Sequence, residues 1–396
     1  MNIQVISEYF YPDSFRINEI VCTLTTAGHA VQVLTALPDY TTGHIPVRYR
    51  HFKNRREVCC GAPTIRIPAT ERRTGTMRRM LNYFTFMVNA SIYAIFCKCP
   101  HCDVIFVYET SPIFQALPAL ILKKRTKKKV VLYCCDLWPE SLKVGGIQEN
   151  SWIYKAVKRF SQWLYRGCDI VAITSKPFKS YLMETCQVSE QAIVYLPQHA
   201  SDDYFSIAGQ YNDNDCIDFM FAGNIGAAQN LDCVLTALTH IHTAKKYHIH
   251  LVGNGSELAH LKKLASELGV ETRVSFHGHY PASEMKSWFL LADCFLLTLD
   301  GTSSVGKTLP GKAQTYLSIG KPVVGAINGA GAEMIKESDC GLCVPAGDAI
   351  ALAEAMTEVI ENFEKYKLNG QKGRNFYEKN YTMDVFIHRL LKILQQ

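Results

Sequence analysis

Short runs of apolar, β-branched residues recur along the whole chain, and they constrain its fold more than any other feature. Stretches long enough for helices separate most of these runs. For example, SFRINEIVCTLTTAG shows helical apolar spacing and stops at Gly28. Alternating strands and helices with nearly continuous apolar strands predict a doubly wound parallel sheet. In the first half the predicted strands are 3–6, 30–36, 64–69, 103–108, 129–135, 169–175 and 192–197.

The same pattern restarts in the second half, after a polar stretch at 206–216 that is predicted as a linker. The second set of predicted strands is 218–224, 247–255, 273–279, 293–299, 322–327 and 341–348. Two successive doubly wound, Rossmann-like sheets predict an α/β protein whose two domains face a cleft. We expect domains at 1–205 and 206–380. The segment 381–396 is predicted as a C-terminal helix that packs back on the first domain.

The positive charge of the chain is clustered rather than large. With 396 residues and a net charge of +6, the chain fits two globular domains of ~100–200 residues each. Basic clusters suit an anionic partner such as phospholipid, nucleic acid or a pyrophosphate-bearing substrate, although each cluster alone could be a solvated face. The clusters are RYRHFKNRR (48–56), RRTGTMRR (72–79) and KKRTKKK (123–129).

Two apolar segments near these clusters raise the question of a membrane. Neither reaches the ~18–20 uncharged apolar residues of a spanning helix. Segments 81–97 and 113–124 combine apolar and aromatic residues with basic neighbours, which fits either a membrane-surface helix or a core helix. The nearby basic clusters favour the membrane surface. We therefore expect a cytoplasmic protein that associates peripherally with the inner face of the cell membrane.

The cysteine content is high, with 15 residues. The N-terminal residues do not have the pattern of a signal peptide, so we expect reduced thiols. The motif CKCPHC (97–102) superficially resembles a metal cluster but lacks a second pair at zinc-finger spacing. No metal site is predicted.

Glycine-rich turns follow several predicted strands of the second half. FAGNIGAAQN places Gly223, Asn224 and Gly226 between a strand and a helix that begins near Leu231. In such a turn, backbone N–H groups and a helix N-terminus can face an anion. The next two strand ends add LVGNGSE, with Asn254, and SFHGHYP, with His279 and Tyr280. Each turn alone is weak, because glycine is common in such turns and loop histidines are often merely exposed.

The most specific feature of the second half is TSSVGKTLPGKAQTYLSIGKPVVG (302–325). A polar loop carries Lys307 and Lys312, enters a helix and ends at Gly320. A lysine at the start of a helix opposes the helix dipole, so an anion such as a diphosphate would explain it better than solvent does. A solvated lysine remains the alternative for both positions.

An acid stands at the end of the apolar run VVLYCC in the first half. Asp136 ends the fifth predicted strand and begins DLWPES. A buried, unpaired carboxylate is costly, so it needs hydroxyl or amide partners. Sugar hydroxyls would supply them, and the carboxylate could also act as a base for an acceptor hydroxyl. The alternative is a helix or turn cap.

Together these motifs resemble the retaining, GT-B-fold nucleotide-sugar glycosyltransferases. The nearest branch is the bacterial one that builds O-antigen, capsule and other exopolysaccharide units, including N-acetyl-fucosamine-transferase-like enzymes. The resemblance spans essentially the whole chain and rests on SEYFYPD (7–13) with Arg16, GHAVQVLTALPDYTTG (28–43), DLWPES (136–141), GNIGAAQNLD (223–232), LVGNG (251–255), LPGKAQTYLSIGKPVV (309–324) and CGLCVPAGD (340–348).

The resemblance implies that the second domain binds a nucleoside-diphosphate sugar. Its diphosphate would meet the Gly223–Gly226 turn and Lys312, and its base would lie near His279 and Tyr280. No bound metal is expected, because lysines and backbone amides would neutralise the leaving diphosphate. The acceptor would enter from the first domain, where Asp136 is the proposed catalytic partner of Lys312. Acceptor or phosphate contacts are expected from Arg16, Glu109 and Glu140.

The sequence also departs from the pattern of the family. Two glutamates that relatives carry before the Gly-x-Pro are replaced by Lys307 and Thr315, so both donor contacts change character. Asn230 stands where relatives have a basic residue after the GNIGAAQ turn, and Lys307 and Lys312 could compensate. Glu333 falls where many relatives keep a glutamate and is a weaker donor-site candidate.

The function predicted from these features is transfer of a sugar to a polyprenyl-diphosphate-linked saccharide. UDP is the expected nucleotide, GDP is second, and an N-acetylated amino sugar is among the candidate donors. One alternative is a UDP-sugar 2-epimerase of similar fold, with His199, His277 and His279 as acid–base candidates. Another is a non-catalytic membrane-surface binding protein. Nucleic acid is not an expected partner, because the aromatic–basic interleaving of single-strand binders is absent.

Overall fold

The chain forms two compact units. A computed structural model describes residues 1–73, 75–98, 101–144, 146–200, 202–211, 214–301 and 309–396. The first unit comprises 1–196 together with 387–396, and the second comprises 197–386. The division therefore falls after Leu196, whereas the sequence placed the boundary at 205.

The first unit is built on one sheet with the order β3-β4-β2-β1-β5-β6-β7-β8. Its strands are β1 (Asn2–Ile6), β2 (Ala30–Ala36), β3 (Arg56–Cys59), β4 (Ala62–Ile67), β5 (Val104–Glu109), β6 (Lys129–Cys134), β7 (Ile170–Ile173) and β8 (Ile193–Tyr195). Its helices are α1 (Arg16–Thr26), α2 (Thr76–Phe96), α3 (Ala116–Thr126), α4 (Ser141–Val144), α5 (Trp152–Gly167) and α6 (Phe178–Glu184).

The described strands of this sheet pair in parallel, except for β3 with β4. Every residue of β5 is buried, as expected for a strand covered on both faces. The sequence did not predict β3, so Asp136 follows the sixth strand and not the fifth. Strand β3 has only four residues and turns directly into β4 through Cys60 and Gly61, both of which have positive φ. That backbone is the one a tight hairpin requires.

The second unit carries a fully parallel sheet with the order β11-β10-β9-β12-β13-β14. Its strands are β9 (Cys216–Ala222), β10 (Lys246–Val252), β11 (Val274–Gly278), β12 (Cys294–Thr298), β13 (Val323–Ala326) and β14 (Gly341–Val344). Its helices are α7 (Leu231–Leu238), α8 (Leu258–Glu267), α9 (Met285–Leu291), α10 (Gly311–Ile319), α11 (Gly329–Ser338), α12 (Ala349–Glu361) and α13 (Phe363–Asn380). The last helix, α14 (Met383–Gln395), begins at the end of this unit, and most of its residues belong to the first unit.

Adjacent residues of β9 show why this sheet is doubly wound. Phe219 and Phe221 belong to a core shared with α7, α8 and α12, whereas Met220 belongs to a second core shared with α9, α10 and α11. Successive strand side chains point to opposite faces, so both faces of the sheet are covered by helices. The predicted α/β class with two parallel sheets is confirmed.

The apolar segment 81–97 lies almost entirely in α2. One face of this helix is buried and includes Phe86, Ala90 and Ala94. The opposite face exposes Phe84 and Phe96, together with other apolar side chains. Within the described ranges, every helix is too short or too polar to cross a membrane. The segment is thus a core helix on one side and an exposed apolar surface on the other.

Candidate functional site

The strand ends of β9 and β10 are held together by their backbones. The Gly223 N–H donates to the Val252 carbonyl oxygen at 2.9 Å, and the Ile225 N–H donates to the Asn254 carbonyl oxygen at 2.9 Å. Parallel neighbours place their carboxyl ends at the same sheet edge, where ligands of open α/β sheets bind. The two predicted turns therefore form one continuous surface.

This close approach explains why the turns contain glycine. Gly253 has φ of +152°, and a Cβ built on it would lie 1.8 Å from the Gly223 carbonyl oxygen. A Cβ on Gly255 would lie 2.1 Å from the Ile225 carbonyl oxygen. Real Cβ contacts do not become this short, so these glycines are required by the backbone itself. The LVGNG motif thus has a structural cause as well as a place at the candidate site.

Lys312 is the charged group of this edge. It is the second residue of α10, and its Nζ lies 3.8 Å from the centroid of the Phe221 ring and donates to the Gln229 Oε1. Among the described residues it has no ion-pair partner. Burial lowers the pKa of Lys312 to about 7. A cation is therefore held against a neutral amide and a ring, an arrangement that a bound anion would complete.

Asn230, which replaces a basic residue of the family pattern, has a backbone reason for its identity. It precedes α7 with φ of +49°, in the left-handed region that asparagine tolerates better than most residues. The neighbouring Gln229 contacts Lys312. The cation at this turn is therefore Lys312 of α10, and not a basic residue at the position of Asn230 before α7.

A pocket of about 540 Å³ opens at this edge of the second sheet. It brings together most of the residues predicted to bind the donor: Gly223, Asn224, Asn254, His279, Tyr280, Lys312 and Thr315. Its volume lies within the ~300–1,000 Å³ of small-molecule sites. Gly226 does not line it, and Lys307 lies outside the described residues. Glu333 is exposed and lines a different groove, so it is not brought to this pocket.

The sequence missed the apolar wall of the pocket. Tyr204, Met285 and Phe289 line it. The Tyr280 ring lies 4.9 Å from that of Trp288, just behind this wall. The run MKSWFLL, which forms α9, has the pattern of an ordinary buried helix. The sequence therefore does not show that this helix faces a ligand pocket.

Behind the wall, polar side chains form a chain across the sheet. The Asp218 Oδ1 lies 3.0 Å from the His250 Nε2, and the His250 Nδ1 lies 2.9 Å from the His277 Nε2. The His277 ring then contacts Trp288 at 4.3 Å between centroids. Burial, with the neighbouring His250, lowers the pKa of His277. His277 therefore favours its neutral form and is engaged inside the sheet.

Asp136 lies two residues beyond β6 and has protein partners. Its Oδ1 accepts the Leu137 N–H at 2.9 Å, and its Oδ2 accepts the Ser141 hydroxyl at 2.5 Å, at the start of α4. Burial raises the pKa of Asp136, while these hydrogen bonds oppose the rise. Because both oxygens are engaged, the geometry supports the turn-cap alternative that the sequence left open.

Two other acids predicted as acceptor or phosphate contacts are held within the first unit. Glu109 ends β5 and is completely buried, so its side chain reaches no surface where an acceptor could bind. Burial and the nearby Asp136 raise its pKa well above the ordinary value. Glu140 accepts hydrogen bonds from the Lys143 Nζ at 2.7 Å and from the Tyr154 hydroxyl at 2.8 Å. Although burial opposes the change, these bonds lower its pKa.

Arg16 resembles Lys312 in its position. It is the first residue of α1, and its Nη1 is buried without a hydrogen-bond partner. Cations are disfavoured at helix N-termini, so an anion would also complete this position. For metal ions, the described residues contain no cluster of three or more His, Cys, Asp or Glu ligands, and Cys99 of CKCPHC lies outside them.

Comparison with known proteins finds a family match within the second unit and relatives along most of the chain. Residues 217–362 match the model of the family described as "Glycosyl transferases group 1". The probable glycosyltransferase WbjE of Pseudomonas aeruginosa is 24% identical over 287 residues, covering 69% of this chain and 70% of that protein. The putative colanic acid biosynthesis glycosyl transferase WcaI of Escherichia coli K12 is 23% identical over 318 residues, with 76% of each chain covered.

Solved structures agree on the fold. The sucrose-phosphate synthase of Thermosynechococcus elongatus superposes with a TM-score of 0.76 at 15% identity, covering 100% of this chain and 98% of that one. Anabaena HepE in complex with UDP superposes with a TM-score of 0.71 at 13% identity and full coverage of both chains. From the match of residues 217–362, the glycosyltransferase names of the relatives and the two parallel sheets, this chain is a glycosyltransferase with the GT-B fold.

Proposed function

We propose that this enzyme transfers a sugar, with retention of configuration, from a UDP-sugar to a polyprenyl-diphosphate-linked saccharide of a bacterial surface polysaccharide. The observation that carries the donor half is Lys312, a buried cation at the glycine turns of the second sheet that has no counter-ion among the described residues. The names of relatives support the biosynthetic setting, since WcaI is described as a colanic acid enzyme. N-acetylated amino sugars are candidates for the transferred group.

In the transfer reaction, Lys312 would stabilise the leaving group, which is the nucleoside diphosphate. When the glycosidic bond to the diphosphate breaks, negative charge grows on the phosphate oxygens. A cation that is already desolvated and fixed beside that position stabilises the growing charge without reorganising, and such stabilisation is often the largest catalytic contribution. The Gly223 turn leaves room for this approach, because a Cβ there would lie only 3.4 Å from the Lys312 Nζ. In this scheme no metal ion is needed at the diphosphate.

The apolar wall of Tyr204, Met285 and Phe289, together with Tyr280, would hold the base of the nucleotide. Flat aromatic and apolar side chains bind a base by stacking, while nearby polar groups select its edge. Uracil is the proposed base, and HepE is described in complex with UDP. Guanine stays the second candidate, since some relatives carry names that include a GDP-mannose-dependent activity.

The acceptor half of the proposal rests on the first unit. Arg16 is half-buried, and its Nη1 is buried without a hydrogen-bond partner, which suits a phosphate of the acceptor. Glu140 stays a proposed acceptor contact, and Asp136 a proposed sugar contact or base. The exposed face of α2 and the basic clusters would attract the protein to the anionic inner face of the membrane, at roughly 1 kcal/mol for each Lys or Arg near the surface.

A thermal-shift series tests the donor half. UDP should raise the melting temperature of the wild type more than GDP does, since a ligand at 100 times its Kd stabilises the folded state by about 2.7 kcal/mol. Lys312→Met should abolish the shift, whereas Lys336→Met, at an exposed helical lysine of the same unit, should keep it. An unchanged shift in Lys312→Met would remove the central contact of the proposal.

Product analysis tests the reaction. With a donor and a lipid-linked saccharide, we expect a product that keeps the anomeric configuration of the donor, and we expect activity to persist in EDTA. Formation of an epimer from the donor alone would instead favour the 2-epimerase. An inverted product would contradict the retaining mechanism while leaving the transferase assignment in place.

A further inference from the structure

The first unit contains a second groove, far from the strand ends discussed above. It lies where α3, α5 and the start of β6 meet and has a volume of about 500 Å³. Leu117, Leu120 and Ile121 form its apolar part, and Trp163 contributes an aromatic wall that is 46% exposed. Five lysines and one acid complete its lining: Lys123, Lys124, Lys127, Lys128, Lys129 and Asp169.

Local backbone features create this groove. Gly167 ends α5, and a Cβ on it would lie 2.6 Å from the Leu120 Cδ1, so glycine lets α5 approach α3 closely. Lys127 follows α3 with φ of +60°, and its N–H donates to the Lys123 carbonyl oxygen at 2.9 Å. This left-handed residue ends the helix and leads the chain into β6, along which further lysines follow.

Some of the basic residues here are already engaged. The Lys123 Nζ lies 2.8 Å from the Asp169 Oδ1, and the other oxygen of Asp169 accepts the Val130 N–H at 2.8 Å. The Arg125 Nη1 donates to the Ala94 carbonyl oxygen at 2.6 Å and to the Cys97 carbonyl oxygen at 3.0 Å. The one acid of the groove therefore compensates a single lysine.

Three exposed lysines remain without such partners. Lys124, Lys127 and Lys128 form no ion pair with any residue in the described part of the chain. The C-terminus of α3 favours nearby cations, but that effect is worth only about 0.3–1 kcal/mol and falls off within the last turn. Lys127 and Lys128 lie beyond that turn. An apolar floor is thus rimmed by ammonium groups that attract an anion.

We propose that this groove binds a single anionic phospholipid of the membrane. One acyl chain would lie along Leu117, Ile121 and Trp163, and the phosphate would be held by Lys124, Lys127 and Lys128. The apolar floor distinguishes this ligand from inorganic phosphate or a free nucleotide, since neither would fill it. Through its bonds to the Ala94 and Cys97 carbonyl oxygens, Arg125 connects α3 to the end of α2, where Phe96 is 81% exposed.

The position of the groove argues against the diphosphate of the acceptor as its occupant. Lys129 begins β6, and Asp136 follows the other end of the same strand. Six residues at about 3.3 Å each separate the two edges of the sheet by ~20 Å. A short lipid-linked acceptor must keep its diphosphate close to the reacting sugar. The groove would therefore anchor the enzyme, independently of the transfer reaction.

Binding to vesicles tests the anchor with the full-length chain. We expect it to bind vesicles that contain phosphatidylglycerol and to bind pure phosphatidylcholine weakly. The triple variant Lys124→Gln, Lys127→Gln and Lys128→Gln should weaken binding by about a hundredfold, at roughly 1 kcal/mol per lysine. The matched control is Lys246→Gln, Lys262→Gln and Lys379→Gln, which removes the same charge from exposed positions of the second unit. Equal loss in both triple variants would mean non-specific attraction and would overturn the site.

A second measurement locates the acyl chain. Phospholipids with bromine atoms along their acyl chains should quench part of the tryptophan fluorescence on binding. Trp163→Phe should remove most of that quenching. Trp152→Phe is the control, since Trp152 is on the same helix but does not line the groove. Quenching that is unchanged in Trp163→Phe would overturn the proposal. So would competition by inorganic diphosphate, or binding of a polyprenyl phosphate without phospholipid binding.

Failure of this proposal and failure of the proposed function are separable. The UDP-induced thermal shift reports the second unit and should be the same in all the groove variants. Loss of vesicle binding with a normal UDP shift concerns the groove alone. Normal vesicle binding in a protein that ignores nucleotides would contradict the proposed transfer reaction and not the groove.

Discussion

The carboxyl edges of the two sheets bury charges of opposite sign. In the second sheet a cation, Lys312, is buried beside a pocket, and burial lowers its pKa to about 7. In the first sheet two acids, Glu8 and Glu109, are the buried groups to compare with it. Burial raises the pKa of Glu8 and Glu109 well above the ordinary value, and both are 1% exposed or less. Burial thus favours the neutral form of Lys312 at one edge and of Glu8 and Glu109 at the other.

The difference lies in what each edge can still bind. Glu8 and Glu109 are buried away from solvent, and protonation removes their charge without a ligand. Lys312 lines an open pocket and has a neutral amide as its hydrogen-bond partner. An anion that enters the pocket regains the energy lost on burying the charge. We infer that burial of charge serves ligand binding at the second edge and packing at the first.

The largest expected effect tests this contrast at Lys312. Lys312→Met removes the charge but keeps the length of the side chain. We expect turnover to fall by about 10²–10³-fold, as when one group that stabilises transition-state charge is removed. At the same time the ligand-free protein should gain about 1 kcal/mol or more of stability, because a buried, poorly compensated ammonium is lost.

Activity assays and chemical denaturation of the same preparation check both halves. Lys336→Met should change neither quantity appreciably, since Lys336 is exposed. A Lys312→Met protein that loses both activity and stability would show that the lysine supports packing, and the contrast between the two edges would disappear.

The next effect concerns the backbone of the pocket. Gly253→Ala places a Cβ 1.8 Å from the Gly223 carbonyl oxygen, so one of the two turns must move. We expect a loss of about 2–4 kcal/mol in the free energy of unfolding and loss of the UDP-induced shift. Gly278→Ala is the control: its φ is +80°, but a Cβ there meets nothing within 4 Å. It should cost only about 1 kcal/mol and keep nucleotide binding.

Urea titrations and thermal shifts with UDP distinguish the two glycine variants. Equal stability losses would mean that conformational strain dominates and that the contact between the turns is unimportant. If Gly253→Ala still binds UDP, the two glycine turns are not part of the nucleotide site.

The two edges also differ in how well the sequence predicted them. The strand pattern predicted both sheets, because buried parallel strands are continuous apolar runs bounded by turn residues. Around the second edge, the glycines and Lys312 are informative because each departs from a usual local preference. A glycine allows positive φ, and Lys312 places a cation at the start of a helix. The aromatic wall from α9 was not predicted, because a half-buried helix has the same pattern whether it faces solvent or a ligand.

At the first edge the sequence could place the acids but not their surroundings. Asp136 was expected after a strand, and it is there, but its partners Leu137 and Ser141 became visible only in the structure. Glu109 ends a strand in the same way and is completely sealed. Exposure depends on helices distant in sequence, which residue spacing does not reveal. Strand β3 of the hairpin was also not predicted from the sequence, because its turn into β4 depends on two residues with positive φ.

A smaller effect is expected at Asp136. Asp136→Ala removes the acceptor of two hydrogen bonds, so we expect a stability loss of about 1–2 kcal/mol. Asp136→Asn can still accept the Leu137 N–H on its Oδ1 and can donate its Nδ2–H to the Ser141 hydroxyl oxygen, so it should keep turnover within about tenfold, or 1.4 kcal/mol, of the wild type. Ser141→Ala removes one of the same bonds and should cost less than Asp136→Ala. If Asp136→Asn is as inactive as Lys312→Met while folding normally, Asp136 is the base, and the first edge is catalytic as well.

The smallest expected effect is the pH dependence of nucleotide binding. Below pH 7 the Lys312 ammonium is present before UDP arrives, so affinity is at its highest with respect to this group. Above pH 7 free Lys312 loses its proton, and UDP must restore it because the bound diphosphate raises the lysine pKa. Affinity should therefore fall by up to about tenfold for each pH unit above 7 until the raised pKa is reached.

Calorimetry in two buffers of different ionisation enthalpy checks this through the number of protons taken up on binding. We expect uptake that approaches one proton per UDP above pH 7 in the wild type and none in Lys312→Met. Measuring above pH 7 keeps the terminal phosphate of UDP ionised, since its second pKa is about 6. Binding that is independent of pH in the wild type would mean that Lys312 is already charged without ligand. In that case it would have a counter-ion at the second edge, just as Lys123 has in the first unit.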